Sequence, residues 1–70
     1  MSRTSVISSN LRSVGYDPDR AVLQIEFHHG GIYDYYRVPW SAYAGLMDAE
    51  SMGGYHANHI KLRYGYRRVG

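Results

Sequence analysis

Apolar and polar residues change period several times along the chain, and each change marks an element. Between residues 21 and 28, Ala21, Leu23, Ile25 and Phe27 alternate with Val22, Gln24, Glu26 and His28. This two-residue period predicts a strand with one buried face. The preceding run NLRSVGY, residues 10–16, reads as a first strand. Between the two lies DPDR, whose Asp-Pro and Asp suit a tight turn. After Phe27, HGG closes a hairpin and IYDYYRV forms a third strand.

The hairpin loop decides which face each tyrosine takes. A three-residue loop, His28-His29-Gly30, uses a type I turn with Gly30 left-handed in a bulge. Phe27 then faces Gly31, Ile25 faces Tyr33, and Leu23 faces Tyr35. A two-residue loop, His29-Gly30, slips the register by one and reverses every side chain. Asp34 would then lie opposite Ile25 on the core face without a partner, and burying a carboxylate is the costlier arrangement. The first register is therefore expected. It places Tyr33 and Tyr35 inward, and Val22, Ile32, Tyr36 and Val14 on an open, apolar outer face.

Pro39 ends the strand and suits the first turn of a helix, where its missing N–H costs nothing. Trp40, Tyr43, Ala44 and Met47 follow at helical spacing with Leu46 beside them. This stripe is expected to cover the face formed by Leu23, Ile25, Phe27, Tyr33 and Tyr35. SMGG then breaks the helix, with Ser51 placed as a cap. YHANHIKL predicts a short second helix with His56 and Ile60 four apart. RYGYRRV is a final extended segment. There Leu62, Tyr64 and Tyr66 share one parity, expected to face inward, and Lys61, Arg63 and Arg67 share the other. The expected fold is α+β: a three-strand antiparallel meander plus a C-terminal strand, one main helix packed on one face, and a short second helix. Residues 1–8 read as a short flexible leader and 9–70 as a single domain.

With 70 residues the core is thin, because a chain this short buries only about 60% of its unfolded surface. Cysteine is absent, which removes disulfides, thiolate metal sites and a cysteine nucleophile together. Eight tyrosines, against one Phe and one Trp, supply the bulk instead. Their rings fill space, but each hydroxyl requires a partner when buried. No apolar run reaches the roughly 20 residues of a membrane span, and MSRTSVISSN lacks a secretory pattern. A cytoplasmic location is therefore expected.

The net charge of +2 conceals a split. Residues 1–50 hold four Arg and six acids, a balance of −2, whereas residues 51–70 hold Lys61, Arg63, Arg67 and Arg68 with no acid, a balance of +4. Such asymmetry points to an anionic partner. Within KLRYGYRR, the four cations suit phosphates, and Tyr64 and Tyr66 suit stacking on unpaired bases. The candidate nucleic-acid-binding residues are thus Lys61, Arg63, Tyr64, Tyr66, Arg67 and Arg68. The competing reading is that both rings are core and the cations an ordinary solvated edge.

Other chemistries are poorly supplied. No Ser sits in a nucleophile elbow, and no Gly-rich phosphate loop precedes a helix, so a non-catalytic chain is expected. His56 and His59 are three apart, and His28 and His29 adjoin in the turn. Neither pair has a third ligand of known placement, so no metal and no cofactor are expected. The rival to RNA binding is a protein-interaction or oligomerisation module using the exposed sheet face.

Three segments also resemble a known family. They are SSNLRSVGYD at 8–17, YDY at 33–35 followed by VP at 38–39, and GYHANHIKLRYGYRR at 54–68. In this order they are similar to the KTSC domain, named for the C-terminal region of some lysyl-tRNA synthetases and also found as small stand-alone bacterial proteins. The resemblance spans about residues 8–69. Where the family often carries Phe-Asn after the tyrosine matching Tyr55, this chain has His56-Ala57. It has Gly65 in place of a Pro between the last two tyrosines. The synthetase association implies an RNA partner, either tRNA or a single strand.

Overall fold

In the computed structural model, which describes residues 1–70, Gly30 and Gly31 both adopt positive φ, at 105° and 95°. Gly30 N–H donates to the Phe27 carbonyl and Phe27 N–H to the Gly31 carbonyl, each at 3.1 Å. This is the expected turn-plus-bulge, and the expected register results from it. Strand β3 (Val22–Phe27) pairs with β4 (Ile32–Tyr35) so that Leu23 faces Tyr35 and Ile25 faces Tyr33.

The sheet has five strands rather than four. It adds β1 (Thr4–Ser5), β2 (Leu11–Asp17) and β5 (Tyr66–Arg68), in the order β1-β2-β3-β4-β5, with every neighbour antiparallel. The extra strand comes from the segment expected as a flexible leader, where Thr4 pairs with Val14 and Ser5 with Ser13. Helix α1 spans Trp40–Asp48, and α2 (Met52–Tyr55) runs on as a wider π-helical turn over His56–Ile60. Ser51 caps α2 by accepting from Gly54 N–H at 3.1 Å. No helix is long and apolar enough to cross a membrane.

Both helices cover one face of the sheet. The core between them contains Leu11 and Val14 from β2, Leu23, Ile25 and Phe27 from β3, Tyr35, Val38, Ala42, Leu46, Met52 and Ile60. Leu11 and Val14 lie three apart, so a regular strand would turn them to opposite faces. A bulge reconciles them: Leu11 pairs with Phe27 and Ser13 with Glu26, leaving Arg12 as the extra residue.

That bulge removes Val14 from the outer face, where it was expected, and puts Ser13 there. Val22 is buried as well, and Ile32 and Tyr36 are half-buried. What the outer face presents is a polar ribbon. Arg3 Nε donates to Ser13 Oγ at 2.9 Å, and Arg3 Nη1 to Gln24 Oε1 at 2.6 Å. Ser13 Oγ donates to Glu26 Oε1, and Gln24 Nε2 to Asp34 Oδ1, both at 2.9 Å. Of the four apolar residues expected on this face, Val14 has moved to the core and Val22, Ile32 and Tyr36 flank the polar ribbon.

Helix α1 is also rotated from expectation. Its buried residues are Ala42 and Leu46, while Trp40 is 62% exposed and Tyr43, Ala44 and Met47 are only half-buried. Just upstream, Val38 is fully buried and doubly tied. Its N–H donates to the Ala21 carbonyl at 2.9 Å, and its carbonyl accepts from Tyr16 Oη at 2.6 Å. Val38 thus anchors the chain just before the helix, and within α1 Ala42 and Leu46, four apart, share the face turned to the core. Two non-glycine residues in the left-handed region, Ala21 (φ 54°) and Arg37 (φ 58°), hold this junction, at a cost of about 1 kcal/mol or more each.

A β-carbon at Gly31 would lie 2.9 Å from Tyr33 Cε1, in a backbone conformation strained for any L-residue. Gly31→Ala is therefore expected to destabilise the chain by about 1–2 kcal/mol, lowering Tm by roughly 4–15 °C. Gly65, which has nothing within 4 Å of its would-be β-carbon, is the control. Gly65→Ala is expected to change stability by about 0.5 kcal/mol or less. Equal melting shifts for the two variants would contradict this.

Candidate functional site

Because side chains directly opposite in an antiparallel pair share a face, the strand register assembles a site at one end of the sheet. Tyr66 pairs with Tyr35, and Arg68 with Tyr33. Both therefore stand on the helix-covered side, beside Phe27. The His56 ring reaches the same place from the π-helical turn, since Ile60, four residues on, is buried in the core and holds that face of the turn inward.

The rings form a closed circuit. Centroid separations are 5.7 Å for Phe27–Tyr33, 5.9 Å for Tyr33–Tyr66 and 5.7 Å for Tyr66–Tyr35. The circuit closes through Tyr35–His56 at 5.6 Å and His56–Phe27 at 5.0 Å. His29 lies nearly parallel to Phe27, at 5.3 Å and 14°. These residues and Lys61 line a cleft of about 210 Å³. Tyr66 is 59% exposed and forms its outer wall, whereas Tyr35 is only 4% exposed and belongs to both core and cleft.

One polar contact crosses the cleft lining: Tyr35 Oη and His56 Nε2 are 2.8 Å apart. Either group can donate, depending on the imidazole tautomer. Burial is the main cause that pushes the Tyr35 phenol up to about 12, with Tyr33 and Tyr66 adding to it. Burial likewise lowers the His56 pKa below its ordinary value, assisted by the Lys61 charge. Both shifts favour the neutral form near neutral pH. The π-helical turn explains why Lys61 acts on His56. Lys61 N–H donates to the His56 carbonyl at 2.8 Å, and a turn one residue wider than an α-helical one brings Lys61 back over His56.

The six residues expected to bind nucleic acid are divided by this geometry. Lys61 and Tyr66 line the cleft. Arg68 joins them at its edge: its Cζ and Nε lie 3.5 Å from where a Gly31 β-carbon would be, next to Tyr33, and its Nε donates to Gly70 O at 2.8 Å. Arg67 points to the opposite face, in register with Asp34. Arg63 is exposed on the turn after Ile60, and Tyr64 packs partly against the core. Leu62, expected inward, is 92% exposed. The strand parity fails there because residues 61–64 continue turning. Arg63 and Tyr64 N–H groups both donate to the Ile60 carbonyl, and extended structure resumes only at Tyr66.

Phe27, His29, Tyr33, Tyr35 and His56 are site residues that the sequence pattern alone does not single out. The spacing of His56 and Ile60 is the available signal, since a core Ile60 implies a sheet-facing His56. His59 turns elsewhere and packs on Tyr55 at 4.7 Å. No group of three or more His, Cys, Asp or Glu side chains converges anywhere in the chain.

Comparison with known proteins gives a consistent picture. The model of the KTSC domain matches residues 7–64. A protein of Stutzerimonas stutzeri is 40% identical over 67 residues, which is 96% of this chain and 93% of that protein. A lysine–tRNA ligase of Nostoc is 33% identical over 61 residues, which is 87% of this chain but 11% of the ligase. The crystal structure of a KTSC domain protein from Yersinia pestis is 39% identical and superimposes with a TM-score of 0.96, covering 99% of this chain and 97% of that one.

The two perturbed groups set opposite pH dependences. His56 takes up its proton more readily in the unfolded chain, so its contribution to stability is present above about pH 6.5 and lost as the pH falls through the lower folded value. Tyr35, raised from 10.0 to about 12, contributes stability that is complete below pH 10 and lost as the pH rises toward 12. Urea unfolding of the parent and of His56→Gln is expected to show the parent losing more stability between about pH 7.5 and pH 5. Parallel losses would mean that His56 is not held neutral by its surroundings.

Proposed function

The chain belongs to the KTSC domain family, and from that premise we propose that it is a non-catalytic binding module for single-stranded RNA. The observation that carries this reading is the closed circuit of rings with cations at its edge. Single strands are held by basic side chains on phosphates and by aromatic faces on bases, and one stacked base is worth about 1–3 kcal/mol. Here Tyr66 offers the exposed ring, while Lys61 and Arg68 offer charge on the same side. The kinship with a lysine–tRNA ligase supports RNA as the partner, since that enzyme is named for a tRNA.

The Tyr35 phenol is poorly suited to acid–base chemistry. An effective general acid or base has a pKa near the working pH. Burial carries the Tyr35 phenol away from neutrality, where it stays protonated and available for hydrogen bonding. Binding without turnover fits this better than proton transfer.

Titration of a fluorescent single-stranded RNA against salt tests the proposal. Two phosphate contacts give a log–log slope of about −1.4, since each contributes roughly −0.7 on a single strand. Lys61→Ala and Arg68→Ala are each expected to weaken binding and to flatten the slope by about 0.7. Arg67→Ala, on the other face, leaves the slope unchanged. No measurable binding at low salt, or equal effects of all three variants, would overturn the reading.

A further inference from the structure

We infer that the cleft admits one unstacked nucleobase, with the Tyr35–His56 pair meeting its polar edge and Lys61 and Arg68 meeting the adjoining phosphate. This deepens the RNA reading and rests on it. Four features of the cleft carry the inference.

The first is size. At about 210 Å³ the cleft is smaller than the roughly 300–1,000 Å³ of pockets for drug-sized ligands. It suits a single flat ring system, not a stacked pair. The second is lining. Six rings line the space, five of them in the closed circuit, and Lys61 is the only Lys, Arg, Asp or Glu among the lining residues. A neutral aromatic interior with cations at the edge matches a nucleotide, which is a neutral ring joined to an anion. An aromatic side chain of a peptide brings no such charge.

The third is the hydrogen-bonding pair. Tyr35 Oη and His56 Nε2 share one proton between them across 2.8 Å. If the phenol donates to the imidazole, its oxygen is left to accept from a base N–H. If the imidazole donates, the phenol proton is left to point at a base carbonyl or ring nitrogen. The pair can therefore answer either kind of base edge, so the cleft tolerates all four bases. The fourth is access. The rings wall the cleft, and a base can enter between them only after it leaves its stack, so loops, ends and single strands are the targets, not duplex.

The test compares a short single-stranded RNA with a ribose-phosphate strand of the same length and charge that carries no bases, both against the unaltered chain. The base-bearing strand is expected to bind about tenfold more tightly. Nucleoside 5′-monophosphates are expected to shift the ring resonances of His56 and Tyr66 where ribose 5-phosphate does not, and the four bases are expected to agree within a few-fold. Tyr35→Phe is expected to narrow the gap between the base-bearing and baseless strands while leaving the salt slope as it was. Equal affinities for the two strands, or shifts confined to Trp40 and Tyr43, would overturn the nucleobase assignment and leave the RNA reading standing. Failure of both strands to bind would overturn the two together.

Discussion

The sheet side of the site depends on the register that links β3, β4 and β5. A slip of one residue would carry Tyr33 and Tyr35 to the outer face and bring Asp34 to the core. Two devices prevent it. The glycine turn at 28–31 fixes β3 against β4. Backbone hydrogen bonds then hold β4 against β5 beyond both ends of the short strand. Tyr36 N–H donates to the Gly65 carbonyl at 2.9 Å, and Val69 N–H to the Ile32 carbonyl at 2.7 Å. The edge strand is thereby anchored over a longer stretch than its three residues suggest.

The same rings serve stability and recognition. In a chain this small the interior is limited, and Tyr35 belongs to the core cluster while its hydroxyl reaches the cleft. Tyr16 uses the same economy, packing on Tyr43 at 4.8 Å while its hydroxyl secures the Val38 carbonyl. Tyrosine suits this dual use because one end of the side chain is apolar and the other seeks a partner. Buried hydroxyls that find partners cost little, and no buried side-chain polar atom in the chain lacks one.

Parts of this were legible in the sequence, and the reason is physical in each case. The β3–β4 pairing could be read because a single residue, Asp34, penalised the wrong register, and Asp34 indeed faces outward to Gln24. The phase of α1 could not be read, because apolar residues occur on both Trp40–Tyr43–Met47 and Ala42–Leu46 and only packing in the folded chain buries the second set. The Arg12 bulge leaves no mark in hydropathy, and it misplaced Val14. The cleft was hidden for a further reason. Its Tyr35–His56 contact joins residues 21 apart, and the π-helical turn that brings Lys61 to the same spot has no compositional signature. The basic tail was visible, but the placement of its cations depends on where β5 starts, at Tyr66 rather than at Arg63.

The most direct measurement is photocrosslinking of a single-stranded RNA carrying 4-thiouridine, with identification of the attached residues. Crosslinks are expected on the rings of the cleft, at Tyr66 and Tyr33 foremost, with Tyr64 and the exposed Trp40 unlabelled. Attachment concentrated on Trp40, Tyr43 or Tyr64, with the cleft rings clear, would contradict the proposal that the paired strands β4 and β5 build the binding surface.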